Sequence, residues 1–214
     1  MDFDGDGRLD LLSGSNCCDP LGFVFFRRRE DGGWEPLRHL KVRPPSNEAP
    51  VDLVRSFVTA ADWDGDGLSD LLWREHGAIL VAPGPFNDAM PIVLARRLEI
   101  SPKVVPGEGS LADFAVADWD RDGKPDLLVR SEARGMGGTI RWHRNLGAPG
   151  LTKLAKGMVM VEFPGDQSIE GFCVCDWNAD GRPDLVVTRF ERLPTKNPLE
   201  RQQYRESVWV YPRS

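Results

Sequence analysis

The sequence predicts an all-β fold, a β-propeller built from four-stranded antiparallel blades. One acidic nonapeptide occurs four times, and its copies begin at residues 2, 62, 118 and 176, which are 60, 56 and 58 residues apart. Each copy runs directly into Leu-Leu or Leu-Val, and no window of useful length has a helical period. A period of this length that holds several short strands is typical of propellers or solenoids, and four antiparallel strands repeated radially form a propeller blade.

Each period contains four predicted strands, with Pro, Gly and Asn at the joints, as hairpins require. The first strand precedes the acidic loop and the second follows it. The repeats are predicted over residues 1–55, 56–110, 111–168 and 169–214, within one domain. The first and last blades are expected to be incomplete, which gives a partial, open propeller. First strands are predicted at Phe57–Ala61, Phe114–Ala117 and Phe172–Cys175; second strands at Asp10–Leu12, Asp70–Arg74, Asp126–Arg130 and Asp184–Arg189; third strands at Phe23–Arg27, Ile79–Ala82, Thr139–Arg144 and Val208–Tyr211; fourth strands at Leu37–Val42, Ile92–Ile100 and Leu154–Val161.

The acidic loops have the pattern D-x-[DN]-x-D-G-x-x-D, whose positions are numbered 1 to 9 below. Carboxylates this crowded repel one another unless a cation lies among them. Glycine at position 6 permits a left-handed turn that a side chain would obstruct. An all-oxygen set of ligands suits Ca²⁺, which accepts 6–8 oxygens, whereas zinc prefers His and Cys, and the loops contain neither. The simpler alternative is four solvated acidic turns that bind no ion.

An EF-hand is not predicted, although the first ligand positions are similar. An EF-hand loop has glutamate at position 12 and helices on both sides. Position 12 is Ser13, Trp73, Val129 or Val187 here, and the flanking segments have strand patterns. The predicted metal sites therefore lie at junctions between strands.

Composition indicates an ordinary globular chain. It has 214 residues, 41% hydrophobic and 28% charged, with a formal net charge of −6. The four loops hold 15 of the 33 acidic residues, so the negative charge indicates metal sites rather than a basic partner. No nucleic-acid motif accompanies the Arg27–Arg29 run, and no stretch approaches a membrane span. Cys173 and Cys175 are predicted to be small core residues, and no disulfide framework is indicated.

The loop pattern, followed by Leu-Leu or Leu-Val after a short apolar strand, resembles FG-GAP/VCBS repeats. These are calcium-binding β-propeller blades of integrin α-chain heads and of many secreted bacterial proteins. The resemblance covers essentially the whole chain and implies up to four Ca²⁺ ions and an extracellular or cell-envelope location. Integrin-like propellers have seven blades, so we expect either further blades or self-association through exposed blade edges.

The resemblance also implies which residues bind calcium: the side chains at positions 1, 3, 5 and 9 and the backbone carbonyl at position 7. The side-chain ligands would be Asp2, Asp4, Asp6 and Asp10; Asp62, Asp64, Asp66 and Asp70; Asp118, Asp120, Asp122 and Asp126; and Asp176, Asn178, Asp180 and Asp184. The carbonyl ligands would belong to Arg8, Leu68, Lys124 and Arg182. The fourth loop is expected to bind most weakly of the intact loops, because Asn178 lacks a charge.

Aromatic residues recur at position 2, as Phe3, Trp63, Trp119 and Trp177. We interpret them as wedges between blades, because they recur with the period; the alternative is a platform for sugars. His39, His76 and His143 fall in no catalytic motif, which favours packing or surface roles. The polar, non-repeating segment Glu191–Glu206 is the candidate recognition loop.

Two classes of function remain open from sequence. The first is a non-catalytic, calcium-stabilised scaffold that recognises a protein or glycan outside the cell. The alternative is part of a propeller-type carbohydrate-active enzyme, of the polysaccharide lyase or sugar dehydratase class. An enzyme would need a convergent group of His, Tyr, Lys or Arg on one face, and the sequence shows no such non-repeating cluster.

Overall fold

The computed structural model describes residues 2, 6–13, 24–36, 41–43, 51–52, 58–75, 78–84, 92–94, 96–98, 110–132, 137–147, 153–194 and 201–213. The chain divides into two compact units, Met1–Glu99 with Gly147–Lys153 and Ile100–Leu146 with Leu154–Ser214. All regular structure in the described residues is β, with no helix among them, which confirms the all-β class.

The first unit contains two antiparallel sheets that each include an acidic loop. The first sheet has the order β1-β2-β3 and the second has the order β6-β7-β8-β10. A third, mixed sheet has the order β5-β4-β9, in which β4 and β9 are parallel. The strands are β1 (Leu11–Ser13), β2 (Val24–Arg28), β3 (Trp34–Pro36), β4 (Lys41–Arg43), β5 (Val51–Asp52), β6 (Val58–Ala61), β7 (Asp70–Glu75), β8 (Ala78–Ala82), β9 (Ile92–Leu94) and β10 (Arg96–Arg97).

The second unit contains two further antiparallel sheets, called the third and fourth repeat sheets below. The third repeat sheet has the order β11-β12-β13-β14, and the fourth has the order β15-β16-β17. In both, strands that are consecutive in the chain are neighbours, as predicted. The strands are β11 (Ser110–Ala117), β12 (Asp126–Glu132), β13 (Gly138–His143), β14 (Met158–Phe163), β15 (Gln167–Cys175), β16 (Asp184–Arg192) and β17 (Tyr204–Tyr211).

The second strand of each repeat begins at or next to position 9 of the acidic loop, and in the second, third and fourth repeats it is a central strand of its sheet. Leu71 and Leu72 in β7 are fully buried, as are Leu127 and Leu128 in β12. A continuous apolar run of this kind is buried on both faces, unlike the alternating pattern of a half-exposed strand. In the second and third repeats the acidic loop is thereby attached directly to a buried central strand.

The core of the second unit lies between the third and fourth repeat sheets. The third repeat sheet contributes Trp119, Leu128, Ile140 and Phe163. These side chains pack against Ile169, Leu185 and Val187 of the fourth repeat sheet. Arg130 is also buried there and donates a hydrogen bond to the Ile169 carbonyl oxygen. One face of the third repeat sheet is thus covered by the fourth repeat sheet.

The predicted fourth strands are wrong in detail. In the first repeat, Trp34–Pro36 pairs with β2, whereas Lys41–Arg43 pairs with β5 and β9; residues 37–40 lie outside the described part. In the second repeat, the apolar run from residue 92 divides between two sheets, and Arg96–Arg97 is the strand that pairs with β8. In the third repeat, the strand is Met158–Phe163, later than predicted. An apolar run favours a strand but does not specify its pairing partner.

Candidate metal sites

The acidic loops share one hydrogen-bonded backbone in all four repeats. The carboxylate at position 1 accepts a hydrogen bond from the N–H at position 6, at 2.7, 3.0, 3.0 and 2.8 Å for Asp2, Asp62, Asp118 and Asp176. The carboxylate at position 5 accepts from the N–H at position 7, at 2.9, 2.8, 3.0 and 2.8 Å for Asp6, Asp66, Asp122 and Asp180. Local side-chain acceptors of this kind stabilise tight turns.

Two positions of the acidic loops have left-handed backbone in the described residues. Glycine at position 6 has φ between 78° and 86° in the four loops, as predicted. Position 4 also has positive φ wherever it is described: 79° at Gly65, 64° at Arg121 and 59° at Ala179. The sequence did not reveal this second position, because two of its occupants have side chains that normally avoid this conformation.

The aspartate at position 9 is a structural link as well as a candidate ligand. Asp10, Asp70, Asp126 and Asp184 are all buried, with at most 8% exposed. In each repeat its Oδ1 accepts a hydrogen bond from a backbone N–H just beyond or at the end of the third strand. The donors are Arg28 at 2.9 Å, Gly84 at 2.9 Å, Asn145 at 2.8 Å and Arg213 at 2.9 Å.

The second oxygen of this aspartate accepts a further hydrogen bond, which in the second and fourth loops comes from position 2 of the same loop. Asp70 Oδ2 accepts from the Trp63 N–H at 2.8 Å, and Asp184 Oδ2 accepts from the Trp177 N–H at 3.0 Å. Asp126 Oδ2 accepts from the Trp142 indole at 2.9 Å. Sequence reasoning assigned position 9 only a ligand role; the sequence signal for the second role is an aspartate that directly precedes a buried apolar run.

Burial of these carboxylates disfavours their negative charge. Desolvation raises the pKa of Asp70 to about 6, although the N–H groups of Gly84 and Trp63 oppose the shift. Desolvation also raises the pKa of Asp126, against the hydrogen bonds from Asn145 and Trp142. A cation beside such a group favours its charged form, so these sites have an electrostatic reason to bind one.

The structure brings positions 1, 3 and 9 together in the second and third loops. Ligand oxygens of Asp62, Asp64 and Asp70 lie within 4.8 Å of one another, and those of Asp118, Asp120 and Asp126 do the same. These all-oxygen groups fit a hard divalent cation such as Ca²⁺. They confirm clusters that could hold a metal, whereas the identity of the ion and the roles of position 5 and of the position 7 carbonyls remain predictions.

The first and fourth loops differ from these two clusters. Asp4 of the first loop lies outside the described residues, and Arg8 forms an ion pair with Asp6 there. In the fourth loop, the Asn178 amide donates a hydrogen bond to Asp180 Oδ2 at 3.0 Å, and its carbonyl oxygen accepts the Asp180 N–H at 2.9 Å. Asn178 therefore pairs with the position 5 carboxylate itself.

The aromatic residues at position 2 have two different environments. Trp63 and Trp119 are 4% and 8% exposed, and Trp119 belongs to the core between sheets, which confirms packing for these two. Trp177 is 61% exposed, so the wedge prediction is wrong for it. No neighbouring sheet covers it among the described residues. Phe3 lies outside the described part.

Three further predictions concern the cysteines, the histidines and the segment 191–206. Cys173 and Cys175 are exposed, so the core role predicted for them is wrong. Their neighbours Phe172 and Val174 in β15 are the residues that pack against the core. His143 is buried and its ring contacts the Ala155 carbonyl at 3.3 Å, which confirms packing; His39 and His76 lie outside the described residues. Part of segment 191–206 is paired strand rather than loop, through β16 and β17.

Comparison with known protein families shows which family the chain belongs to. The family model of the FG-GAP-like repeat matches residues 2–73 and 118–187, and no curated protein matches the chain significantly. The chain belongs to the FG-GAP-like repeat family. Both matched regions of this FG-GAP-like repeat protein include acidic loops with their following strands. In the described part of the chain, no helix is long and apolar enough to cross a membrane.

Proposed function

We propose that this FG-GAP-like repeat protein is a non-catalytic, calcium-stabilised scaffold of propeller-type blades that recognises a protein or glycan outside the cell. The observation that carries the proposal is the convergence of three carboxylates at one strand junction in both the second and the third loop. The third repeat sheet is a simple four-stranded meander, which is the form of a propeller blade. The extracellular setting rests on the family resemblance.

The loop residues couple metal binding to the arrangement of the strands. Position 1 follows the first strand, position 9 begins or directly precedes the second, and the Oδ1 of position 9 is bonded beyond or at the end of the third. Calcium would supply positive charge to these crowded carboxylates. Asp62, Asp64 and Asp70 would hold it in one loop, and Asp118, Asp120 and Asp126 in the other. Neutralising the cluster stabilises three strands at once.

The stabilisation expected from such sites is substantial. Extracellular calcium modules bind at about 10⁻⁴–10⁻³ M. At ~1 mM calcium, a site with Kd of ~10⁻⁴ M contributes about 1.4 kcal/mol to the free energy of unfolding. Two sites contribute roughly 3 kcal/mol, a large part of the stability of an ordinary domain.

The described histidine, His143, is given no catalytic role in this proposal. His143 is buried, and a methyl group on Gly157 would lie only 2.5 Å from its ring, so the imidazole is closely covered. A general acid or base must reach substrate within hydrogen-bonding distance. His143 is therefore assigned to packing in this proposal.

Calcium titration by isothermal calorimetry tests the proposed function. After removal of metal, we expect at least two sites, one of which is lost in Asp64→Asn and another in Asp120→Asn. Glu191→Gln is the matched control, because it removes a carboxylate that pairs with Arg205 away from the loops. Identical isotherms for the wild type and both loop variants would overturn the proposal.

Besides the protein or glycan that the scaffold recognises, we propose a second partner: another sheet of the same repeat, supplied by a second copy, at the exposed face of the fourth repeat sheet. Strand register makes Trp177, Val186 and Val208 the counterparts of Trp119, Leu128 and Ile140. The third-sheet residues are buried against the next sheet, whereas Trp177 and Val208 are 61% and 62% exposed. An apolar face continuous with an existing packing pattern favours more of the same packing.

Sedimentation velocity tests this partner. We expect concentration-dependent association of the wild type, and its loss in Val208→Glu. Leu146→Glu is the control, because Leu146 is equally exposed but lies in the connection after β13. A wild type that stays monomeric at high concentration, or equal effects of the two substitutions, would contradict it.

A further inference from the structure

Arg144 places a positive charge among the carboxylates of the third loop. Its Nε lies 2.6 Å from Asp120 Oδ2, and its Nη2 lies 2.9 Å from Asp122 Oδ2. Asp120 is a member of the carboxylate cluster that could hold a metal ion. Lys124 Nζ lies 3.5 Å from the same Asp122 oxygen. The third loop thus contains a cation of its own.

The backbone around Arg144 is fixed to the loop that its side chain contacts. The next residue, Asn145, donates its N–H to Asp126 Oδ1 at 2.8 Å and its side-chain amide to the Pro125 carbonyl at 3.1 Å. The Arg144 carbonyl accepts the Ala155 N–H at 2.8 Å. Because the loop itself anchors this backbone, the guanidinium starts close to its partners and loses less freedom on pairing.

Arg144 directly precedes the residue whose N–H binds the position 9 aspartate, and the second and fourth loops have no charged residue at the corresponding place. In the second loop Gly84 donates its N–H to Asp70, and the residue before it is Pro83. In the fourth loop Arg213 donates its N–H to Asp184, and the residue before it is Pro212. Among the residues that the structure describes, Asp62, Asp64, Asp66 and Asp70 take part in no ion pair with arginine or lysine. The two complete carboxylate clusters therefore differ in Arg144 beside Asp120, and the third loop also has Lys124 where the second has Leu68.

The loop responds electrostatically to this arginine. Desolvation opposes the charge of Asp122, but the Lys124 N–H and the Arg144 guanidinium outweigh it and lower the pKa of Asp122. Asp122 and Asp120 in turn raise the pKa of Arg144. Because Arg144 already lies 2.6 Å from Asp120 Oδ2 and 2.9 Å from Asp122 Oδ2, a divalent cation that enters this loop competes with an arginine in place.

We propose that Arg144 is an internal cation of the third loop that weakens calcium binding there and holds the loop together when calcium is scarce. This inference rests on the proposed calcium function and adds a difference between its two complete sites. Ion pairs at half-exposed positions contribute modestly, so the third loop should bind calcium about three- to tenfold more weakly than the second. In this proposal Arg144 lowers the calcium affinity of the third loop and is not itself a ligand.

The test is calcium calorimetry on variants that separate the two loops. Asp64→Asn leaves the third loop to be observed, and Asp120→Asn leaves the second. Adding Arg144→Gln to Asp64→Asn should tighten binding at the third loop about three- to tenfold. Arg205→Gln in the same background is the matched control: it removes an equally charged, exposed arginine that pairs with Glu191, and affinity should not change.

A second readout does not depend on calcium. In chelator, Arg144→Gln should lower the melting temperature slightly more than Arg205→Gln, since only Arg144 neutralises a loop. If Arg144→Gln leaves the affinity of the third loop unchanged while both loops bind calcium, the inference is wrong and the calcium function stands. If calcium binds in none of these proteins, the calcium function itself fails.

Discussion

The third and fourth acidic loops have the same hydrogen-bonded backbone, but only the third is packed against a following sheet. In both, positions 1, 5 and 9 accept equivalent N–H groups at 2.8–3.0 Å. Trp119 is nevertheless buried and Trp177 exposed, and Asp120 faces Arg144 where Asn178 faces Asp180. The nonapeptide specifies the turn, and the surroundings specify what the turn contributes to stability and binding.

The largest expected effect separates the two tryptophans. Trp119→Ala should lower the free energy of unfolding by about 3–5 kcal/mol, because it opens a cavity in the core between sheets. Trp177→Ala should change it by less than about 0.5 kcal/mol, as for other exposed positions. Urea denaturation measures both values. Equal losses would show that the fourth loop is packed like the third.

A second pair of substitutions tests what the two loops share. Asp126→Asn and Asp184→Asn each remove one acceptor from a buried carboxylate that holds the end of the third strand. We expect a loss of about 1–3 kcal/mol in each, measured in chelator so that metal does not contribute. A large loss in only one loop would mean that position 9 is not a common link.

The third comparison concerns pH, since His143 in the third sheet corresponds in register to Tyr211 in the fourth. Burial and the nearby Arg141 charge lower the pKa of His143, against the Ala155 carbonyl. The unfolded chain, with a pKa near 6.5, therefore takes up the proton first as pH falls. The contribution of His143 is complete above pH 6.5 and is lost as pH falls towards the lowered pKa.

Denaturation at pH 7.5 and 5.5 measures this loss in the wild type and in His143→Gln. The wild type should lose more stability between the two pH values than the variant, because all other titrating groups are common to both. An identical difference in the two proteins would contradict the assignment.

The smallest expected effect is at position 4. Ala179 and Arg121 have positive φ, so Ala179→Gly should raise the free energy of unfolding by about 0.5–1 kcal/mol. The reverse change, Gly65→Ala, should cost a similar amount through backbone strain alone, because no atom lies within 4 Å of the added methyl group. A loss of stability in Ala179→Gly would contradict this account of the loop.

These comparisons show what the sequence could predict. The repeat, the meander order and the left-handed glycine at position 6 follow from local rules that a nonapeptide and an apolar strand contain. Burial of Trp119 but not Trp177 depends on a neighbouring sheet, which the shared loop pattern does not encode. Position 9 as a link to the third strand, and Arg144 beside Asp120, arise from pairing between distant segments. The split of residues 92–97 between two sheets has the same cause.

The most direct test of the calcium-stabilised scaffold is the melting temperature with calcium and with chelator. At 1 mM calcium, two sites of about 1.4 kcal/mol each should raise the melting temperature of the wild type by roughly 5–10 °C. The double variant Asp64→Asn, Asp120→Asn should lose most of this increase, and Glu191→Gln should keep it. An unchanged melting temperature of the wild type in chelator would contradict the central claim that calcium at these loops holds the sheets together.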